Sequence, residues 1–260
     1  MKVSPPPYPK SHGLLSGRRV LVTAAAGTGI GFATARRCAE EGATVMLSDR
    51  HEARLAEYAA RLEEQTGRAV PAIPCDVTDE AQVAEMFDYA RSELGGLDVL
   101  VNNAGLGGTT KIVDMSDAQW SRVLDVTLTG TFRCVRAALR HMIPRRRGAI
   151  VNVGSAVSWR AQDGQAHYAA AKAGVLALTR VSAMEAAAAG VRVNAVVPSL
   201  VLHPNLAKVS SEEFLASLVD KEAMKRSAEP WEVSNVIVFL ASDLSSYMTG
   251  ESISVSEQRA

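Results

Sequence analysis

Alternation between short apolar segments and longer helix-forming stretches is the feature that most limits how this chain of 260 residues can fold. The apolar segments, taken as predicted strands, are 20–23, 44–48, 69–75, 97–102, 149–153, 191–197 and 252–256. The predicted helices between them are 30–41, 51–66, 79–94, 117–142, 166–189 and 230–241. The apolar segments lack the polar alternation of a half-exposed sheet, as expected when helices cover both faces. The pattern predicts an α/β fold with a doubly wound, seven-stranded parallel sheet.

Two parts of the chain differ from this pattern. Residues 1–17 are rich in Pro, Ser and Gly, and the four prolines between positions 5 and 9 cannot join a helix or a central strand. We therefore expect a flexible N-terminal arm followed by a single domain over residues 18–260. The irregular stretch 199–229 interrupts the alternation, and we predict that it forms a substrate lid.

Composition excludes several classes of protein. The 28 Lys and Arg residues balance 28 Asp and Glu residues, and only 5% of residues are aromatic, so we expect no nucleic-acid partner. Cys38, Cys75 and Cys134 are far apart, without a CxxC pair or Cys/His cluster. This predicts no metal site and favours reduced thiols in a cytoplasmic protein. No apolar run approaches the roughly 18 residues of a membrane span, and MKVSPPPYPK lacks the apolar core of a signal peptide.

A glycine-rich turn joins the first predicted strand to the first predicted helix, in the run VTAAAGTGIG at 22–31. Glycines permit a tight turn and let backbone N–H groups approach a pyrophosphate, while the helix N-terminus adds positive partial charge. The position of the turn favours a Rossmann-type nucleotide site. A plain strand-to-helix turn is the alternative. The residues expected to contact the nucleotide here are Thr23, Gly27, Thr28, Gly29, Ile30 and Gly31.

Asp49 ends the second predicted strand, 18 residues beyond Gly31. A carboxylate at this position can accept hydrogen bonds from the adenosine ribose and repel a 2′-phosphate, which favours NAD over NADP. Arg50 follows immediately and could hold that phosphate. A helix N-cap for 51–66 is the alternative role of Asp49. Other residues at the same carboxyl edge of the sheet are Asp76, Val77, Asn102, Asn103, Ala104 and Gly105.

Tyr168 and Lys172 are four residues apart in the helical run HYAAAKAGVLALTR, so they share one helix face. A free tyrosine has a pKa of about 10, and a nearby ammonium would lower the pKa of Tyr168 toward the range of a useful base. Tyr168 can then exchange a proton with a substrate hydroxyl or carbonyl. Ser155 ends the fifth predicted strand and could hydrogen-bond the same oxygen. A surface pair on an amphipathic helix is the alternative, which the glycine loop and Ser155 together disfavour.

The glycine loop, the run Asn102 to Gly105, Ser155 and the Tyr168/Lys172 pair follow one another along the chain as they do in the short-chain dehydrogenase/reductase family, which this sequence resembles. The resemblance covers nearly the whole predicted domain. The resemblance implies hydride transfer at a secondary alcohol or ketone of a small-molecule substrate, usually in a homotetramer. It implies that Ser155 orients the reacting oxygen, that Tyr168 is the acid/base, and that Lys172 binds the nicotinamide ribose and tunes Tyr168. It adds Pro198 and Val201 to the cofactor site, with the backbone near Val201 holding the carboxamide.

Several positions depart from the family pattern. The loop usually begins Thr-Gly, whereas Thr23 is followed here by Ala24. Thr127 takes the place of a common Asn, but retains the main-chain carbonyl that holds a relay water in the family, so we count it among the catalytic residues. TAAAGTGIG, Thr127 and HYAAAKAGV also resemble a narrower group, the actinobacterial dehydrogenases of steroid (cholesterol) breakdown. That likeness implies oxidation of the ring hydroxyl of a CoA-linked methyl-oxo-hydroindene.

Two other functions remain open. A 3-oxoacyl-thioester reductase using NADPH shares the scaffold, although Asp49 argues against it. A non-catalytic nucleotide-binding protein is the second, although the Ser, Tyr and Lys set favours an enzyme. Residues that could contact the substrate or its CoA phosphates are Arg160, His203, Lys208, Lys221, Lys225 and Arg226. The apolar residues that the family resemblance assigns to tetramer contacts, or that otherwise lie inside the monomer, are Val123, Leu124, Leu128, Val135, Leu139, Leu176, Leu178, Val181 and Met184.

Overall fold

The structure is a computed structural model that describes residues 3–202 and 212–257, apart from the side chains at positions 212 and 214. Its strands are β1 (Arg19–Thr23), β2 (Thr44–Asp49), β3 (Ala72–Pro74), β4 (Val99–Asn102), β5 (Gly148–Val153), β6 (Val191–Pro198) and β7 (Ser252–Val255). Its α-helices are α1 (Ile30–Glu40), α2 (Glu52–Thr66), α3 (Glu80–Leu94), α4 (Asp117–Leu124), α5 (Gly130–Met142), α6 (Ala166–Ala186), α7 (Glu212–Val219) and α8 (Pro230–Ala241). Short 3₁₀ turns span Ile112–Asp114, Ala156–Ser158, Ala187–Ala189 and Asp243–Ser245.

The predicted doubly wound parallel sheet is confirmed. All strand pairs are parallel, in the order β3-β2-β1-β4-β5-β6-β7, so the direction of winding reverses between β1 and β4. Val20 and Val22 of β1 enter one hydrophobic core and Leu21 enters the other. Burial on both faces explains the absence of polar alternation in the strands. The reversal opens a crevice at the carboxyl ends of β1 and β4, where ligands bind in such sheets.

Two predicted elements differ from the observed ones. The edge strand predicted over 69–75 shortens to Ala72–Pro74. Pro71 and Pro74 lack the N–H that a longer strand would use, and Pro is confined to edges and ends of sheets. The helix predicted over 117–142 is divided by a π-helical turn, Asp125–Thr129. An apolar period of 3.6 residues does not indicate such a one-residue insertion, which is frequent at functional sites.

At the amino-terminal ends of the strands, opposite the crevice, a buried carboxylate holds three parts of the chain together. Asp98 is 2% exposed and accepts hydrogen bonds from the Arg19 guanidinium at 2.7 and 2.9 Å and from Arg147 at 2.7 Å. Burial by itself raises the pKa of Asp98, but the Arg19 hydrogen bonds outweigh it and lower the pKa to about 2. These bonds join the starts of β1 and β5 to the residue before β4.

The residues named as tetramer contacts or interior residues divide into three groups, of which one is half-buried: Leu124, Leu128, Leu139 and Leu178. Val123, Val135 and Leu176 are 4%, 2% and 2% exposed, so they belong to the interior of the chain and the expectation for them was wrong. Val181 and Met184 on α6 are 56% and 81% exposed and remain candidates. The inward residues lie on the helix faces that pack against the sheet or against each other.

The described residues give two further results. None of their helices combines the length and apolar character needed to cross a bilayer. Cys38, Cys75 and Cys134 are buried and unbridged. The cytoplasmic location inferred from such thiols stays a prediction. His203 and Lys208, both within the expected lid, lie outside the described residues.

Candidate active site

A cleft of about 1160 Å³ lies at the carboxyl edge of the sheet. It brings together the residues predicted from the glycine loop, from the ends of β2, β3 and β4, from Ser155, from α6 and from Pro198 to Val201, with three exceptions. Thr28, Asn102 and Thr127 do not contribute to its lining, and the Asn102 carboxamide is buried and donates to the Asn152 side chain at 2.8 Å. Lining residues that the sequence did not indicate include His51, Arg54, Leu106, Gln162 and Gln165, while Leu218 and Glu222 belong to the predicted lid.

At Ala24 the glycine loop keeps a backbone conformation that is typical of glycine, although the residue is an alanine. Ala24 has φ +50°, in the left-handed region that costs an L-residue about 1–2 kcal/mol. Gly31 approaches the turn so closely that a Cβ on it would lie 2.4 Å from the Ala24 carbonyl oxygen. Gly29 is the N-cap of α1 and has no side chain to cap it. The first N–H groups of α1 therefore fit an anion such as a pyrophosphate.

Asn103 ties this loop to the end of β4. Its amide nitrogen donates to the carbonyl oxygens of Ala24 at 2.9 Å and Thr23 at 3.2 Å. In return, the Thr23 hydroxyl accepts from the backbone N–H groups of Asn103 at 3.0 Å and Ala104 at 3.2 Å. The two central strands thus end in one hydrogen-bonded unit, and Asn103 is a structural clamp as well as a lining residue.

Asp49 lies in the cleft at the end of β2 and is 7% exposed. Its carboxylate accepts from the N–H of Ala26 at 3.1 Å and of His51 at 3.0 Å, and it lies 3.7 Å from the Arg54 guanidinium. The N-cap of α2 is His51, so the alternative role of Asp49 as that cap was wrong. The backbone bond from Ala26 couples the acidic residue to the glycine loop.

Asp76 and Val77 line the cleft after β3. The Asp76 carboxylate accepts from the backbone N–H and hydroxyl of Thr78 at 2.9 and 2.7 Å. Burial raises the pKa of Asp76, but the Thr78 bonds and the nearby Arg50 charge lower it overall. The side chain therefore shapes the turn, which leaves its backbone and Val77 as the surfaces presented to a ligand.

Ser155, Tyr168 and Lys172 all line the cleft. Burial raises the pKa of the Tyr168 phenol, and a hydrogen bond with Ser155 opposes that rise. The Lys172 ammonium donates to the Val153 carbonyl at 2.6 Å and lies 5.7 Å from the Tyr168 ring centroid. Burial lowers the pKa of Lys172 to about 8. The predicted lowering of the Tyr168 pKa is thus not observed, because the ammonium is held by a backbone carbonyl and burial dominates.

Thr127 is hydrogen-bonded to Leu106, in the loop that follows β4. Its hydroxyl accepts from the N–H of Leu106 at 2.9 Å and donates to the carbonyl of the same residue at 3.1 Å. Its own carbonyl accepts the Thr131 hydroxyl at 2.8 Å. The side chain is fully buried in the π-helical turn and fixes Leu106, which lines the cleft. The relay role expected for the Thr127 carbonyl stays a prediction.

The positively charged residues predicted to contact the substrate differ in the partners that they have within the chain. Arg226 forms a two-pronged bond with Glu232 at 2.6 and 2.8 Å, and the Lys225 ammonium donates to the Asp220 carbonyl at 2.5 Å. Both therefore have partners within the chain, and contact of Lys221, Lys225 and Arg226 with CoA phosphates stays a prediction. Arg160 is half-buried and lines the cleft, and its guanidinium has no hydrogen bond or ion pair with any residue that the structure describes.

Comparisons with known proteins extend these observations. Residues 24–257 match the sequence profile of a family described as enoyl-(acyl carrier protein) reductase. The chain is 58% identical over 248 residues, 95% of each chain, to the (5R,7aS)-5-hydroxy-7a-methyl-1-oxo-2,3,5,6,7,7a-hexahydro-1H-indene-carboxyl-CoA reductase of Mycobacterium tuberculosis. It is 42% identical to the cis-4-hydroxycyclohexanecarboxylate dehydrogenase of Sinomonas cyclohexanicum, over 91% of this chain and 94% of that one. The crystal structure of a short chain dehydrogenase from Mycobacterium smegmatis matches with a TM-score of 0.88 and 53% identity over 99% of each chain.

The close approach of Gly31 generates a prediction. In Gly31→Ala the new Cβ would lie 2.4 Å from the Ala24 carbonyl oxygen and 2.6 Å from the Asn103 amide nitrogen, so the loop must move. Overpacking of this kind costs about 1–3 kcal/mol, which weakens dinucleotide binding by about 10- to 100-fold in isothermal titration. Gly107→Ala is the matched control, since its Cβ would be no closer than 4.0 Å to Tyr168. Equal affinities for the two variants would contradict the steric argument.

Proposed function

The chain belongs to the short-chain dehydrogenase/reductase family, and on that premise we propose that it is an NAD-dependent dehydrogenase of a CoA-linked hydroxy-indanone formed in steroid degradation. One observation carries the proposal: Ser155, Tyr168 and Lys172 line the same cleft as the glycine loop and Asp49. A proton-exchanging group and a dinucleotide cradle thus share one space, which an oxidoreductase needs and a passive nucleotide-binding protein does not.

The cofactor in this proposal is NAD. The glycine loop and the start of α1 would hold the pyrophosphate, Asp49 the adenosine ribose, and Lys172 the nicotinamide ribose. The bound nicotinamide would supply the two-electron chemistry by exchanging a hydride with the substrate carbon. The remaining contacts with the cofactor would be made by residues at and after the strand ends. These residues are Asp76, Val77, Asn103, Ala104, Gly105, Pro198 and Val201.

The protein's own part of the reaction is proton transfer. Tyr168 would remove the proton of the substrate hydroxyl during oxidation and return it during reduction. Ser155, which hydrogen-bonds Tyr168, would hold the same oxygen in reach. Gly105 leaves room for Lys172, since a Cβ there would lie 3.3 Å from the lysine ammonium. Thr127 would keep Leu106 in place against the reacting end of the substrate.

Asp49 provides the first test. Its charge should repel the 2′-phosphate, so NAD⁺ should bind more tightly than NADP⁺. Asp49→Asn keeps an acceptor for the Ala26 N–H but removes the charge. The ratio of the NADP⁺ to the NAD⁺ dissociation constant should therefore fall by about tenfold, the value of one charge-assisted hydrogen bond. Titration calorimetry with both cofactors measures this, and Asp88→Asn, an exposed aspartate, is the control. Tighter NADP⁺ binding by the natural protein would support the thioester reductase alternative.

Tyr168 provides the second test. Tyr168→Phe keeps the ring but removes the transferable proton, so turnover should fall by about 10²–10⁴-fold while cofactor affinity stays unchanged. Since burial raises the pKa of Tyr168, its basic form is populated on the alkaline side. Alcohol oxidation should therefore rise with pH, whereas ketone reduction, which needs the phenol, should not. Near-normal turnover of Tyr168→Phe would refute the assignment.

The substrate follows from the relatives and from Arg160. The two curated relatives are named for ring alcohols that carry a carboxyl group, one as a CoA thioester and one free. Arg160 follows Ser155 by five residues on the same cleft wall. Its guanidinium can donate to a carboxyl or thioester oxygen while Ser155 and Tyr168 hold the ring hydroxyl. We therefore place the carboxyl-derived group of the substrate against Arg160.

Arg160→Met provides the test of substrate class. A charge-assisted hydrogen bond contributes about 1.5–3 kcal/mol, so kcat/KM for the hydroxy-indanone CoA thioester should fall by about 10- to 100-fold. The rate with a ring alcohol that lacks a carboxyl group should stay unchanged, and Arg160→Lys should be intermediate. The assay follows NAD⁺ reduction. An equal loss with both alcohols would remove Arg160 from substrate recognition, and no turnover of the thioester by the natural protein would refute the substrate itself.

We also propose a homotetramer, as the family resemblance implies. Large apolar side chains that remain exposed on three of the described helices support further association, because burying them against another chain would be favourable. They are Trp120 on α4, Phe132 on α5, and Val181 and Met184 on α6. Light scattering at micromolar concentration should give four times the chain mass. A single species of one chain mass would contradict assembly.

A further inference from the structure

The proline-rich segment 3–12, here called the strap, belongs to the stretch expected to form a flexible arm, but hydrogen bonds attach it where it enters the domain. Backbone N–H groups of His12 and Leu14 each donate to one oxygen of the Glu41 carboxylate at 2.9 Å. Glu41 is fully buried and forms an ion pair with Arg37 at 2.5 Å. A buried carboxylate with these partners is costly to disturb, so this end of the strap is fixed.

Tyr8 attaches the middle of the strap to two helices. Its hydroxyl donates to Glu40 of α1 at 2.6 Å, and its ring meets Trp231 of α8 edge-on at 5.5 Å between centroids. The guanidinium groups of Arg36 and Arg37 lie over the ring at 4.9 and 5.7 Å. Burial, followed by the Glu40 bond, raises the pKa of Tyr8 to about 12, so the hydroxyl remains a donor at neutral pH.

The start of the strap reaches the substrate side of the cleft. The N–H of Val3 donates to the Met224 carbonyl at 3.2 Å, and the N–H of Met224 donates to Glu257 at 2.6 Å. Val3 and Glu257 therefore both bond the backbone of Met224. Met224 closely follows Leu218 and Glu222, which line the cleft. A shift at Met224 is passed to the cleft wall through this short turn, which the Lys221 N–H closes onto the Leu218 carbonyl at 3.1 Å.

Four of the residues between Val3 and His12 are prolines, which fix φ and favour an extended course of about 3.1 Å per residue. Such a segment between two attachments holds its length. We propose that the strap positions the substrate-side wall of the cleft at Leu218 and Glu222, with Tyr8 as its positioning residue. The proposal rests on the proposed function only in identifying that wall as the substrate side. It predicts an effect on substrate affinity without an effect on cofactor affinity.

Hydrogen exchange on the full chain tests the strap without requiring turnover. In Tyr8→Ala the ring contacts are lost, and the amides of Lys221 and Glu222 should exchange about tenfold faster, as expected for the loss of an aromatic pair with cation–π contacts. Tyr8→Phe keeps the ring and should stay within about threefold of the natural protein. Tyr247→Ala, which removes a fully exposed tyrosine ring, is the matched control and should leave exchange unchanged.

Kinetics provide the second readout. In Tyr8→Ala the KM of the substrate should rise by about the same factor as the exchange rate, while kcat and the dissociation constant of NAD⁺ stay within about twofold. Unchanged exchange at 221–222 would overturn the strap proposal, as would a parallel loss of cofactor affinity, which indicates general damage. If the natural protein turns over no hydroxy-indanone thioester, the proposed function fails, but the exchange result still decides the strap.

Discussion

The hydrogen bonds of one carboxamide, that of Asn103, determine how the cofactor side of the cleft is built. They hold the carbonyls that end β1 and thereby fix the strained turn at Ala24. Gly31 must be a glycine because this turn already occupies the space that a Cβ would need. The N-terminus of α1 is thus directed into the crevice, and Asp49 joins the same unit through the Ala26 N–H. The cofactor side is therefore made mainly of backbone, which tolerates little movement.

The catalytic side depends on a different balance, between burial and charge. Burial raises the pKa of Tyr168 and lowers that of Lys172, so the environment opposes both charged forms. The Val153 carbonyl partly compensates the ammonium, and Ser155 partly compensates the phenol. Neither compensation is complete, so both groups can change protonation state or partners when a polar substrate enters. Such poised groups are typical of acid–base sites.

Much of this could be predicted from the sequence, because periodicity indicates buried faces and the glycine loop occurs at a unique place in the topology. The edge strand β3 was predicted too long, although Pro71 and Pro74, which limit it, are present in the sequence. The π-helical turn at Thr127 could not be predicted, since it depends on local hydrogen bonds that leave the apolar period intact. The partners of charged residues were equally inaccessible. Glu232, the partner of Arg226, is only six residues away, yet the sequence does not distinguish an ion pair from a ligand contact. The role of Asp98 likewise becomes visible only from its contacts with Arg19 and Arg147 in the folded chain.

The two sides of the cleft therefore differ in how they are held. Loops that leave the central strands form the cofactor side, and the side chains of Asn103 and Asp49 tie them to the backbone of the glycine loop. The substrate side includes the end of α7 and the turn to Met224, which lie outside the sheet; among its contacts are the hydrogen bonds of Met224 with Val3 and with Glu257. A cofactor side held by the central strands suits a ligand that every turnover shares, while segments outside the sheet can differ between relatives without disturbing that side. This division explains why an enzyme of this fold can keep its chemistry while the ring that it oxidises varies.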